Sequence, residues 1–315
     1  MARRPPDCPA RRACCGAYSV FAAANTDPVP VGPALTGGYS VAPSAGQPRQ
    51  DGPMPRLAIA QHACAPDIDA NVKTAERMIA EAGDQGAALV VFPEIHLSPF
   101  FPKTKGGDAS AWAMTADHPA LAALSDAAKA AGVVVVSNVY LEDVDGRRHD
   151  ASPVFDADGT LLGVSRMNRI AQFDGFWEQD YYAPADGFDV YDTAAGRLGV
   201  VICYDRHFPE SYRACAKLGA EIIATPTCVE AAEPLDLFEA EMRTLAYHNH
   251  VYALLANRCG SEDERAYAGR SLICGPDGSV LARAGDDPEI LLAEYGRAAR
   301  RKTAEARGFV SEAVS

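Results

Sequence analysis

The chain lacks a long apolar run: none of its 315 residues begins a stretch near the roughly 18 apolar residues that a membrane span needs. Positive charge is also scarce. Lys and Arg number 29 against 42 Asp and Glu, and the net charge of −13 opposes non-specific attraction to nucleic acid or anionic lipid. Neither nucleic acid nor membrane is therefore expected as a partner. Paired cysteine spacing is missing too. The nine cysteines contain no C-x-x-C, which excludes a zinc ribbon or dithiol redox motif. Their odd number and apolar contexts (Cys64, Cys215, Cys228, Cys274) fit reduced thiols and a cytoplasmic location. His248 and His250 stand two apart, poor spacing for a metal, so no metal site is expected.

What the chain does have is a hydrophobic fraction of 48%, ample for a substantial core. The composition changes near residue 54. Nine of the 22 prolines fall in residues 1–53, where neither a helical nor a strand period shows. That segment reads as a disordered extension, or as sequence upstream of a start at Met54. Its opening has arginines but no clean apolar core of signal-peptide length. Cys8, Cys14 and Cys15 have no matching His or Cys pair to complete a metal site.

From residue 55 the pattern is regular. "RLAIAQ", "AALVVF" and "VVVVSNVYL" read as strands, separated by helical patterns in "IDANVKTAERMIAEAG" and "HPALAALSDAAKAAG". Ile68, Val72, Ala75, Ile79 and Ala82 share one face of the first helix. Turns at "DVDG" and "DADG" flank shorter strands at 151–156 and 160–166. The alternation then repeats through "RLGVVICY", "PESYRACAKLG", "AEIIATP", "PLDLFEAEMRTLAYHNH" and "VYALLANR". A hairpin in "AGRSLICGPDGSVLARAG" and a closing strand, "EILLAEY", complete an α/β domain with two sheets' worth of strands. Parallel pairing is expected from the β-α-β units.

Open α/β folds place their chemistry at the carboxyl ends of strands. Two such ends stand out: "VVFPEIHLSP", with Glu94, and "VVICYDRHFPES", with Cys203. A cysteine between a buried strand and a helix start is placed for a low-pKa, accessible thiolate, and a nearby carboxylate could take its proton. Asp205 and Arg206 read as an ion pair fixing this turn, His207 as structural or a substrate contact, and Glu239 with Arg243 as an i, i+4 salt bridge.

"FPE", "ICYDRHFPE", "GAEIIATPT" and "LLANR" together resemble the nitrilase (carbon–nitrogen hydrolase) superfamily over residues 55–296. "FWEQDYY" resembles a segment of its N-carbamoyl-β-alanine and N-carbamoylputrescine amidohydrolase branches. The resemblance implies a four-layer α-β-β-α sandwich, usually dimerised into an eight-layer stack. It also implies cofactor-free hydrolysis of an amide, nitrile or N-carbamoyl compound by a Glu–Lys–Cys triad. By position, Glu94 matches the general base, Cys203 the nucleophile and Glu178 a second glutamate that positions substrate and base. The Tyr204 N–H is expected to hold the oxyanion, and Thr227 and Trp177 to line the pocket, with Tyr181 and Tyr182 as further aromatic candidates. Residues 297–315 read as a terminal helix and tail that packs on a partner subunit.

The lysine is missing. Where the family reads Arg-Lys-x-His, this chain reads Arg166-Met167-Asn168-Arg169, which puts Met167 on the lysine. A thioether carries no charge and donates no hydrogen bond. Removing one strong oxyanion donor typically costs ~2.7–4 kcal/mol of transition-state stabilisation. Three accounts stand. A nearby cation replaces the ammonium, Arg169 by strand phase or Lys103 or Lys105 from the loop after Glu94. Alternatively, Met167 forms an apolar pocket wall and backbone alone holds the oxyanion; or the chain keeps the fold as a non-catalytic binding or scaffold protein.

Overall fold

The structure is a computed structural model that describes residues 54–311. The expectations for residues 1–53, with Cys8, Cys14 and Cys15, and for 312–315 lie outside the described residues.

The first half contains strands β1 Arg56–Gln61, β2 Ala87–Val91, β3 Val134–Val136, β4 Val139–Glu142, β5 Arg148–Phe155 and β6 Leu161–Arg166. A small hairpin follows, β7 Gln172–Phe173 and β8 Phe176–Trp177. The second half contains β9 Val190–Thr193, β10 Gly196–Val200, β11 Ile222–Thr227, β12 Tyr252–Asn257, β13 Cys259–Glu262 and β14 Arg265–Ala268. It closes with β15 Leu272–Cys274, β16 Val280–Arg283 and β17 Glu289–Glu294. The helices are α1 Ile68–Asp84, α2 Pro119–Ala131, α3 Pro209–Lys217, α4 Leu235–Asn249 and α5 Arg297–Ala306.

One sheet runs β17-β1-β2-β3-β5-β4 with β6 on β5, and the other runs β16-β15-β12-β11-β10-β9. β1-β2-β3 and β10-β11-β12 are parallel, as the β-α-β pattern predicts. The two-residue period of a strand decides which core each side chain joins. In β1, Leu57 and Ile59 enter the core between the sheets, while Ala58 and Ala60 face α1 and α2. In β12, Tyr252, Leu254 and Ala256 face inward, and Ala253 and Leu255 pack under α3 and α4. The result is the expected α-β-β-α sandwich. α1 buries Val72, Ala75, Met78, Ile79 and Ala82, close to the face read from the sequence, and Asp67 caps it by accepting the Ala70 N–H. No described helix is long and apolar enough to cross a membrane.

Several details differ from the sequence reading. "VVVVSNVYL" is two strands rather than one, because Ser137 and Asn138 turn the chain so that β5 pairs with both pieces. "EILLAEY" returns to pair antiparallel with β1 in the first sheet. Glu239 pairs with Arg283 instead of Arg243, whose Nε donates to the Gly278 carbonyl at 3.0 Å. The tail also makes contacts within its own chain, with Arg297 3.2 Å from Glu221, Arg300 Nε donating to the His250 carbonyl at 3.0 Å and Phe309 stacked on His250; its packing on a partner subunit is a separate proposal.

Candidate active site

β10 stops at Val200, and the chain enters a short 3₁₀ turn, Cys203–His207, that leads into α3. Cys203 sits at φ +39°, in the left-handed region that a non-glycine residue seldom adopts. Strain of that kind costs about 1–3 kcal/mol and persists only where its surroundings enforce it. Here Arg206 enforces it. One guanidinium nitrogen, Nη1, donates to the Cys203 carbonyl at 2.9 Å and to Thr227 Oγ1 at 3.1 Å, and lies 3.9 Å from Cys203 Sγ. Thr227, at the end of β11, donates its hydroxyl to the same sulfur at 3.4 Å. Arg206 is only 2% exposed, with Glu241 3.4 Å from its Nε and the Phe238 ring 4.7 Å beneath it.

Glu94 leaves the end of β2, and its N–H reaches the Thr227 carbonyl at 3.4 Å, tying the ends of the two sheets together. The next residue, Ile95, is also strained, at φ +48°, and its N–H is held by Asn138 Oδ1 at 2.6 Å. Asn138 donates in turn to Asp150 Oδ1 at 2.6 Å. Asp150 projects from β5 on the same face as Val154, into the interior between the sheets. Glu178 is fully buried, its Oε2 accepting the Ala171 N–H at 3.0 Å.

These carboxyls share one buried region with few donors. Both Glu94 oxygens, Asp150 Oδ2, Glu178 Oε1 and the Tyr182 hydroxyl have no hydrogen-bond partner while the carboxyls are ionised. A proton between Glu94 and Asp150 supplies one, and a Cys203 thiol turned toward Glu94 supplies another. Burial first, then the charges of Cys203, Asp150 and Glu178, push the Glu94 carboxyl well above the usual range. Glu178 is pushed up to about 8 by burial and then by Asp150. Burial raises Asp150 to about 6, against hydrogen bonds from Glu94 and Asn138. Cys203 is only 6% exposed, and burial pushes its thiol up, opposed by Arg206, Glu94 and Thr227. The expectation of an accessible, low-pKa thiol is corrected on both counts: desolvation outweighs the turn and the nearby cation.

Met167 follows directly on β6 and lies in the same buried cluster as Cys203. Its N–H donates to the Asp150 carbonyl at 3.0 Å, and its carbonyl accepts the Ala185 N–H at 2.9 Å. Because β6 ends at Arg166, the strand phase that placed Arg169 beside Met167 does not extend that far. Arg169 is exposed, with its guanidinium 4.7 Å over the Phe208 ring. Lys103 pairs with Asp263 at 2.7 Å and Glu262 at 3.8 Å, and Lys105 stands 4.6 Å over Trp177. The expected replacements thus have other partners. Arg166, as expected, turns away, to Asp143 at 2.6 Å.

Of the residues singled out from sequence, the fold gathers Glu94, Cys203, Glu178, Thr227 and Met167, with Tyr204 next to the nucleophile in the turn. The Tyr204 ring packs among Phe173, His207 and Phe208. Trp177 is half-buried beneath Lys105, and its pocket-lining role receives no contact in support. The Asp205–Arg206 pair is corrected. Asp205 accepts the N–H groups of Asn168 and Arg169 at 3.0 and 2.8 Å, which pins the segment after Met167, while Arg206 turns to the sulfur. His207 pairs with Glu241 at 2.9 Å. Among the described residues no group of three or more His, Cys, Asp or Glu could hold a metal ion. Arg206 and Asp150 are the residues that sequence reasoning missed as members of the site. Asp150 carried little signal, standing one residue ahead of the strand read at 151–156, and the direction of Arg206 had none.

Comparison with known proteins places this geometry in context. The family described as carbon-nitrogen hydrolase matches residues 56–305. An N-carbamoylputrescine amidase of Arabidopsis thaliana is 34% identical over 253 residues, 75% of this chain and 84% of that protein. An omega-amidase of Xenopus tropicalis is 29% identical over 249 residues, covering 76% and 87%. The crystal structure of a carbon-nitrogen hydrolase from Helicobacter pylori G27 superposes with a TM-score of 0.75 at 26% identity, over 82% of this chain and 95% of that one.

Proposed function

The chain belongs to the carbon-nitrogen hydrolase family, and from that premise we propose that it hydrolyses a small amide or N-carbamoyl compound through a thioester on Cys203. The observation that carries the reading is the sulfur's setting: a buried cysteine on a strained turn, contacted by the Thr227 hydroxyl and a guanidinium, with the buried Glu94 carboxyl near enough for the two groups to act on each other's protons. Relatives named N-carbamoylputrescine amidase and omega-amidase support that substrate class.

In this reading ionised Glu94 takes the Sγ proton, and the thiolate adds to the carbonyl carbon. The first N–H groups of a helical turn have no partner within it, so Tyr204 N–H is free to donate to the developing oxyanion. Glu94 then gives its proton to the leaving nitrogen, the C–N bond breaks and ammonia or an amine departs. Glu94 next takes a proton from water, hydroxide attacks the thioester, and the acid is released as the proton returns to sulfur. Glu178, held by the Ala171 N–H, positions substrate against Glu94. Met167 walls the site beside the sulfur.

One observation favours a second reading, a non-catalytic protein that keeps the fold: among the described residues no lysine is recorded against these carboxyls, and Met167 falls where the family resemblance expects one. Ammonia release over a panel of amides, ω-amides and N-carbamoyl amines, with Cys203→Ala as blank, decides. Turnover in the wild type alone, with an acyl adduct on Cys203 by intact mass, supports the hydrolase. Identical traces for wild type and blank, without an adduct, remove it.

A further inference from the structure

We propose that Arg206 takes over, toward the sulfur, the charge that a lysine at position 167 would supply: it is the cation that stabilises the Cys203 thiolate. This deepens the function above and rests on Cys203 being its nucleophile. Three observations carry it. First, the guanidinium is nine-tenths buried or more and its Nη1 lies 3.9 Å from Sγ, close enough for a charge-assisted contact across a water-poor interior. Secondly, the same nitrogen donates to Thr227 Oγ1, which leaves the threonine proton to point at sulfur, so both donors favour S⁻ over S–H. Thirdly, the other basic residues near the sequence motif are spent elsewhere: Arg169 on Phe208, Lys103 on Asp263 and Glu262, Lys105 on Trp177, Arg166 on Asp143.

Glu241 completes the arrangement. It lies 3.4 Å from Arg206 Nε, on the side away from Nη1, and also binds His207. An arginine suits this position better than a lysine, because its fixed fork can hold the Cys203 carbonyl, Thr227 and Glu241 at once while its charge faces sulfur. Through the carbonyl contact it also steadies the strained turn. A purely structural role predicts only that second effect, so the test must read the sulfur's proton affinity.

The full chain is alkylated with iodoacetamide from pH 5 to 10, and Cys203 modification is followed by mass spectrometry. Arg206→Met keeps bulk and removes charge. It is expected to slow alkylation at pH 7.5 by about tenfold or more, one unit in thiol pKa being a factor of ten. Adding Met167→Lys to Arg206→Met is expected to restore most of that loss, since a lysine there places an ammonium in the buried cluster that holds the sulfur; no structural brace at 206 is restored this way. Glu241→Gln, which leaves the guanidinium in place and removes its counter-charge, is expected to move the alkylation midpoint to lower pH. That variant keeps the proposal testable even where Arg206→Met fails to fold. Wild-type pH dependence in Arg206→Met, loss without rescue by Met167→Lys, or an unmoved midpoint in Glu241→Gln each overturns the assignment. A wild-type Cys203 that forms no acyl adduct with any amide or N-carbamoyl compound of the panel overturns the nucleophile as well, so the two failures are distinct.

Discussion

Glu94, Asp150, Glu178 and Asp205 are buried carboxyls within one another's field, and the described cation among them, Arg206, faces sulfur rather than Glu94. If Met167 stands where the family has its lysine, as the resemblance proposes, the carboxyl side of the site is left to protons. In the proposed reaction Glu94 must be ionised to act as base, and burial raises its pKa, so kcat/KM should climb with pH along a limb well above the usual carboxylate range. Met167→Lys should lower the Glu94 pKa and carry the acid limb of that profile downward by about one unit or more. An unshifted limb in the variant would separate Glu94 from the rate-limiting ionisation. Stability carries the same signature with a definite sign. Glu178 binds its proton more tightly folded than unfolded, so its contribution is present below about 4.5 and is lost as pH rises through about 8. Urea unfolding should show stability falling between pH 5 and 8, and Glu178→Gln, a mimic of the neutral acid, should flatten that fall by ~1 kcal/mol or more. Equal slopes in wild type and variant would assign the proton elsewhere.

The break between β3 and β4 makes the site possible. Asn138 occupies it, fully buried, and spends its amide on the Ile95 N–H, Asp150 Oδ1 and Ser152 Oγ. A continuous strand would fix this side chain on one face of the sheet, away from the Ile95 N–H, and leave the strained residue after Glu94 without its acceptor. Asn138→Ala should cost about 2–4 kcal/mol, because it strands a buried N–H and a buried carboxylate oxygen together. It should also lower turnover by more than the loss of folded protein accounts for, since Glu94 loses its fixed approach. The comparison is activity per folded molecule, with the urea midpoint measured on the same preparation. β11 does the matching work on the other sheet: Thr227 offers its carbonyl to the Glu94 N–H and its hydroxyl to Cys203, so one residue spaces the two proposed actors.

At the scale of the whole molecule, two sheets packed face to face bring their strand ends to one rim, where Glu94 after β2 meets Cys203 after β10, the proposed base and nucleophile. Residues 54–311 supply both sheets, both helical layers and all the site residues named. A chain starting at Met54 should therefore match the full-length protein in Tm within about 2 °C, the shift that a change of about 1 kcal/mol produces at this size. A larger drop would assign residues 1–53 a share in the folded state. The family resemblance proposes a pair of such sandwiches stacked through their helices, and sedimentation equilibrium giving a monomer mass would remove that part.

The sequence by itself determined the layers, because alternating and helical apolar periods dictate which face of each element must leave water. It also determined which residues are the nucleophile and base candidates, because strand ends and the "ICYDRHFPE" block place Cys203 and Glu94 at one rim. It determined that Met167 cannot act as an ammonium, since that follows from the side chain's chemistry alone. Only the tertiary structure decided where charge would come from instead. Strand phase pointed to Arg169, but it fails one residue past Arg166, where Asp205 takes the following N–H groups and redirects the backbone. Arg206 and Asp150 joined the site through contacts that span 21 residues to Thr227 and 12 to Asn138. Proton affinities were likewise settled by the fold, because burial is a property of the packed sheets: the same cysteine that a turn and a helix start would acidify in water is raised once the second sheet covers it.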